Sequence, residues 1–155
     1  MKDERELADA IVGVWMLKSR VDVDATGKVH VDPFLGQDPI GIICFGKTHF
    51  SAQFMKRDRS EQENVLQRAQ AKNNSAGVNG YDAYFGTYNV DEAAGRLTTT
   101  IEGSISPANI GNVYVREVRV AGDELIVRLQ TTALDGTEVT RTNTFRRSTE
   151  RGAGS

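Results

Sequence analysis

Five segments near residues 83–90, 96–105, 112–121, 124–132 and 137–146 alternate apolar and polar side chains, separated only by the short turns DEAAG, SPANIG, AGD and LDG. Alternation with period two marks a strand that buries one face. Strands spaced this evenly pair antiparallel with their neighbours in a meander. Upstream, IGIICF and THFSAQFM flank the turn GKT as a hairpin, VWMLKSRV is a strand ahead of the turn DATGK, and a short strand follows around 29–31. Strands in such numbers close on themselves, which removes the exposed edges. The expected fold is all-β, an antiparallel up-and-down barrel of about eight to ten strands.

The remaining segments decorate that barrel. Residues 3–12 read as a short helix, with Leu7, Ala10 and Ile11 on one stripe, acidic residues near its start and Gly13 at its end. Residues 32–41, DPFLGQDPIG, read as an irregular loop. The run at 58–74 is polar, free of glycine and proline, and has only Val65, Leu66 and Ala69 as an apolar stripe. It reads as a helix or long loop, either a plain connector or a lid over a pocket. Residues 1–147 form one domain, and 148–155 are expected to be a disordered tail.

Composition excludes several function classes. The chain of 155 residues is 26% charged and 39% hydrophobic, with a net charge of −2. That balance suits a globular protein and gives no field to attract nucleic acid or a membrane surface, so neither is expected as a partner. The charged start MKDERELADA has no apolar signal core, and a cytoplasmic location is expected. The one cysteine, Cys44, lies in an apolar run and is expected to be a buried, inert thiol. His30 and His49 are far apart, no His-x-x-x-His or Cys-x-x-Cys spacing occurs, and no phosphate-cradling loop or serine elbow is present. No metal and no cofactor is expected.

Parity decides which side chains face the barrel interior. In YDAYFGTYNVD, Tyr84, Gly86, Tyr88 and Val90 share one face. Gly86 leaves a gap there for a neighbouring backbone or a ligand. The two tyrosines either line a pocket or pack in a core with satisfied hydroxyls. On 112–121 the inward set is Tyr114, Arg116, Val118 and Val120, because the other register buries Glu117 and Arg119. A buried Arg116 needs a protein carboxylate or an anionic or carbonyl-bearing ligand. Leu97, Thr99 and Ile101, then Leu125, Val127, Leu129 and Thr131, and finally Val139, Arg141, Asn143 and Phe145 form the inward sets of the other late strands. Earlier, Trp15, Leu17 and Ser19 point in and Lys18 and Arg20 out, while Phe50, Ala52 and Phe54 oppose His49, Ser51 and Gln53. Glu102 faces outward unless Gly103 marks a bulge.

These residues resemble the bacterial and fungal lipocalin-like domain, a calycin-type barrel. The resemblance runs through Gly13 and Trp15, then Leu35, Gly36, Pro39 and Gly41, then KTHFSAQ, then Tyr84, Gly86 and Tyr88, and finally Glu102, Gly103, Ser104, Pro107 and Arg116. It departs at Thr99, where many members carry a histidine, and near Phe145, where they tend to end on a tryptophan. The resemblance implies a barrel with an internal cavity.

The expected site is that cavity, occupied by a small hydrophobic or amphipathic molecule. Trp15, Phe50, Phe54, Tyr88, Thr99, Leu129, Asn143 and Phe145 are expected to bind the ligand. The enzymatic reading is a cofactor-independent isomerase, cyclase or lyase acting on a polyketide-like, terpenoid or aromatic compound. In it Tyr84 or Tyr114 donates a proton or hydrogen bond, Arg116 stabilises negative charge, and His49 or Glu102 is the base if a bulge turns it inward. The alternative is a non-catalytic carrier. The protein is expected as a monomer or homodimer.

Overall fold

The computed structural model describes residues 6–59 and 79–148. It contains helix α1 (Leu7–Ala10) and strands β1 (Gly13–Asp24), β2 (Val29–His30), β3 (Ile40–Phe45), β4 (His49–Met55), β5 (Tyr81–Asp91), β6 (Arg96–Ser104), β7 (Val113–Ala121), β8 (Glu124–Thr132) and β9 (Glu138–Arg147). A short 3-10 turn, Pro107–Asn109, separates β6 from β7. The strands pair in the order β2-β1-β3-β4-β5-β6-β7-β8-β9, and β9 returns to β1. All but β2 therefore form a closed antiparallel barrel, while β2 pairs only with the far end of β1. Closure leaves the barrel strands without a free edge along the ladder. The lid or connector expected at 58–74 and the tail expected at 148–155 lie almost entirely outside the described residues.

Alternation places the core where the inward sets predict it. Trp15, Phe45, Phe50, Phe54, Leu97, Ile101, Val118, Leu125, Val127 and Phe145 are all buried. Two bulges re-aim the chain. In β1, Leu17 pairs with Phe145 but Ser19 with Thr144, so Lys18 is an extra residue. Beyond it, parity inverts. Arg20 and Asp22 turn into the barrel instead of out, and the expectation that Arg20 faces solvent and Ser19 the interior is corrected for that reason. In β6, Phe85 pairs with Gly103 and Gly86 with Ile101, so Glu102 is the extra residue; its side chain still faces solvent.

The same bulge explains Gly86. A Cβ there would collide with the Thr100 carbonyl, so the gap between the tyrosines is filled by neighbouring backbone and not by a ligand. Cys44 is another correction. Ile43 and Phe45 take the inward positions of β3, which leaves Cys44 on the outer face, a half-buried free thiol.

One end of the barrel is stoppered by α1. Glu92 accepts hydrogen bonds from the backbone N–H of Leu7 and Ala8 at 2.7 Å each, tying the helix start to the β5–β6 turn. Arg147 donates to the carbonyls of Ala10 and Val12 at 2.9 and 3.2 Å and stacks 4.2 Å above the Trp15 ring. The opposite end receives the loop after β2, which tucks Asp32, Phe34 and Leu35 into the interior. Asp32 caps its own loop, accepting from the N–H of Phe34 and Leu35 at 2.8 and 3.2 Å.

Candidate ligand cavity

Between these stoppers lies a cavity of about 50 Å³. At about 10–15 Å³ per water, it has room for roughly three to five waters. Its apolar walls include Phe50, Phe54 and Phe145, with Ile43, Leu97, Val127 and Leu129. Its polar groups are Arg20, Asp82, Tyr84, Thr99, Arg116, Arg141 and Asn143.

Eight residues assigned to the site from sequence meet here: Phe50, Phe54, Tyr84, Thr99, Arg116, Leu129, Asn143 and Phe145. The other five do not line the cavity. Trp15 is fully buried in the stopper, its indole N–H donating to the Ile11 carbonyl at 2.8 Å. Tyr88 packs edge-on against Phe45, and its hydroxyl donates to the Gly46 carbonyl. Tyr114 donates to Asn109 Oδ1 at 2.9 Å and carries the Arg116 guanidinium 4.9 Å over its ring. His49 is exposed beside the Thr48 hydroxyl, and Glu102 is exposed at its bulge. Neither turns inward, so the base that the enzymatic reading needed is not at these positions.

Arg20, Arg141 and Asn143 on the cavity wall belong to a buried ion network. Arg141 grips Asp22 in a two-pronged bond, Nε to Oδ1 at 2.8 Å and Nη2 to Oδ2 at 2.9 Å, and reaches Asp32 at 3.4 Å. Arg20 holds Asp32 at 2.8 Å and Asn143 Oδ1 at 2.8 Å, with its guanidinium 4.7 Å over the Phe54 ring. Planar guanidinium against carboxylate is the geometry that makes such burial tolerable. Burial alone would raise the Asp32 pKa, but Arg141, Arg20 and the two loop N–H groups outweigh it and hold the carboxyl below its ordinary range. Burial would likewise lower Arg141, yet Asp32 and Asp22 raise it. Burial does lower Arg116, against the opposing pull of Tyr84 and Tyr114.

Asp82 is different. It is 2% exposed, and among the described residues its Oδ1 is a buried side-chain atom without a hydrogen-bond partner. Burial pushes its carboxyl up to about 8, because Arg20 and Arg141 only partly offset the loss of water and Asp32 adds to it. Two residues along the same strand face, Tyr84 is pushed up to about 12, again chiefly by burial. Phe50 and Phe54 flank its ring, with centroids 5.9 and 6.3 Å away. Sequence reasoning missed Asp82, Asp22 and Asp32. The parity that put Tyr84 inside puts Asp82 there too, so that signal was present; Asp22 was hidden by the bulge at Lys18, and Asp32 by an irregular loop.

No helix among the described residues is long and apolar enough to cross a membrane, and no group of three or more His, Cys, Asp or Glu among them is placed to hold a metal. No curated protein matches the chain. The model of the lipocalin-like domain matches residues 12–148, from the last turn before the tryptophan strand to the end of the barrel. A closed eight-stranded antiparallel barrel with an interior cavity is the architecture that match implies. The chain belongs to the lipocalin-like domain family.

Proposed function

We propose that the barrel receives one small hydrophobic or amphipathic molecule and acts on it as a cofactor-independent isomerase, cyclase or lyase. The observation that carries this reading is the placement of Tyr84 and Arg116 in a cavity that also carries the aromatic walls Phe50, Phe54 and Phe145. Hydrogen-bond donors fixed in a largely buried hollow stabilise charge that develops on a carbonyl oxygen, since little solvent must reorganise around it. The aromatic walls suit a polyketide-like, terpenoid or aromatic substrate held near its reactive shape. The protein works in the cytoplasm, as a monomer or homodimer.

A carrier is the second reading. The exposed positions of His49 and Glu102 favour it, since neither supplies a base to the cavity. Extraction of the purified protein with solvent, followed by mass spectrometry, tests the binding claim that both readings share. A stoichiometric small molecule lost in Arg116→Leu, with the fold intact by circular dichroism, supports it. Undiminished retention in that variant removes Arg116 from the site.

A further inference from the structure

We propose that Asp82 is the acid–base group of the cavity, and that the substrate is a small molecule with an enolisable carbonyl whose α-proton Asp82 removes. This rests on the enzymatic reading above and names the group that moves the proton. Geometry carries the inference. The Asp82 side chain lines the cavity, is almost wholly buried, and leaves Oδ1 with no hydrogen-bond partner among the described residues. Buried carboxyl oxygens in folded proteins are nearly always paired, so an unpaired one on a side chain that lines a hollow marks a place where an occupant of that hollow could be received.

The charged neighbours explain why Asp82 stays apart. Arg20 from β1 and Arg141 from β9 direct their N–H groups to Asp32, Asn143 and Asp22. Asp32, from the loop after β2, adds like charge; Tyr84 lies on the same strand, and Arg116 lines the cavity from β7. A carboxyl poised near neutrality is a stronger base than an ordinary one and still holds its proton part of the time.

The step balances without a co-reactant. The C–H bond α to the carbonyl breaks and an O–H bond forms at Asp82. The electron pair becomes a carbon–carbon double bond, and the carbonyl π pair moves onto oxygen. Tyr84 and Arg116 stabilise that enolate oxygen. The proton then returns from Asp82 to the same carbon, or to the γ-carbon where the substrate is a β,γ-unsaturated ketone, which isomerises it.

Cyclohex-3-enone is a suitable probe, because it carries the β,γ-unsaturated ketone in one of the smallest molecules that can report it. In D2O, proton NMR reads α-exchange, and ultraviolet absorbance reads the conjugated product. The native protein is expected to accelerate both, with a rate that climbs with pH and levels near 8 instead of near 4. Asp82→Asn is expected to lose about 10²–10⁴-fold of that acceleration, with an unchanged fold by circular dichroism. Acceleration retained in Asp82→Asn, with the probe shifting cavity resonances, overturns the role of Asp82 and leaves the Tyr84–Arg116 pocket standing. A probe that binds in the cavity of the native protein without any exchange overturns the proton transfer and favours the carrier. A probe that leaves cavity resonances unmoved removes the pocket, and the inference with it.

Discussion

Replacing Asp82 with Asn removes one titration and little else, which makes its effect on stability calculable. In the folded protein the carboxyl holds its proton to about 8, against 3.8 for the free side chain. Between those values the folded state binds more protons than the unfolded state, so stability falls as pH rises. The contribution is fully present below 3.8 and is lost by the time pH passes about 8. Each pH unit inside the window costs about 1.4 kcal/mol. From about pH 6 to about pH 9 the native protein should therefore lose about 2.7 kcal/mol relative to Asp82→Asn, whose amide does not titrate. At this chain length that is a difference of about 5–10 °C in the Tm gap between the two proteins. Urea denaturation of both, at about pH 6 and about pH 9, measures it; all groups common to both proteins cancel. The charged and titratable neighbours, Arg20, Arg116, Arg141, Asp32 and Tyr84, are unchanged in the variant. Parallel stability curves for the two proteins across this range would refute the reasoning, because they would mean that Asp82 is ionised and solvated at neutral pH.

Three further outcomes follow from the fold. Gly86→Ala drives a methyl into the Thr100 carbonyl of the adjacent strand, and should cost about 3 kcal/mol or more in urea denaturation. Asp22→Ala leaves the Arg141 guanidinium buried without its two-pronged partner, and should cost about 3–5 kcal/mol; replacing both residues with apolar ones should recover most of that loss. Trp15→Phe deletes the indole bond to the Ile11 carbonyl and should lower stability by about 1 kcal/mol, without changing retention of a cavity ligand, since Trp15 belongs to the stopper.

Regular alternation made most of the barrel legible in advance. The late strands were found within one or two residues of their limits, and charge avoidance on β7 alone chose the register that buries Arg116. The misplacement of Arg20 and Asp22 has one cause. A bulge adds a residue without altering composition, so nothing in VWMLKSRV reveals that Lys18 is passed over and that Arg20 and Asp22 turn inward. The ion network beside the cavity was invisible for a second reason as well, since it joins β1, the loop after β2 and β9 through side chains distant in sequence. Gly86 shows how a correct local reading still leaves two outcomes. The residue had to admit something close, and only the β6 register shows that it is the Thr100 backbone. Asp82 was within reach of the same parity rule that placed Tyr84, but a carboxylate near the start of a strand ordinarily reaches solvent.

Amide and side-chain NMR during titration with cyclohex-3-enone tests most directly whether a small ligand sits inside the barrel. Saturable shifts concentrated on Phe50, Phe54, Tyr84, Asn143 and Phe145 are the predicted result. Shifts confined to the outer groove around Met16, Ile40 and Tyr81, with the interior resonances still, would contradict it.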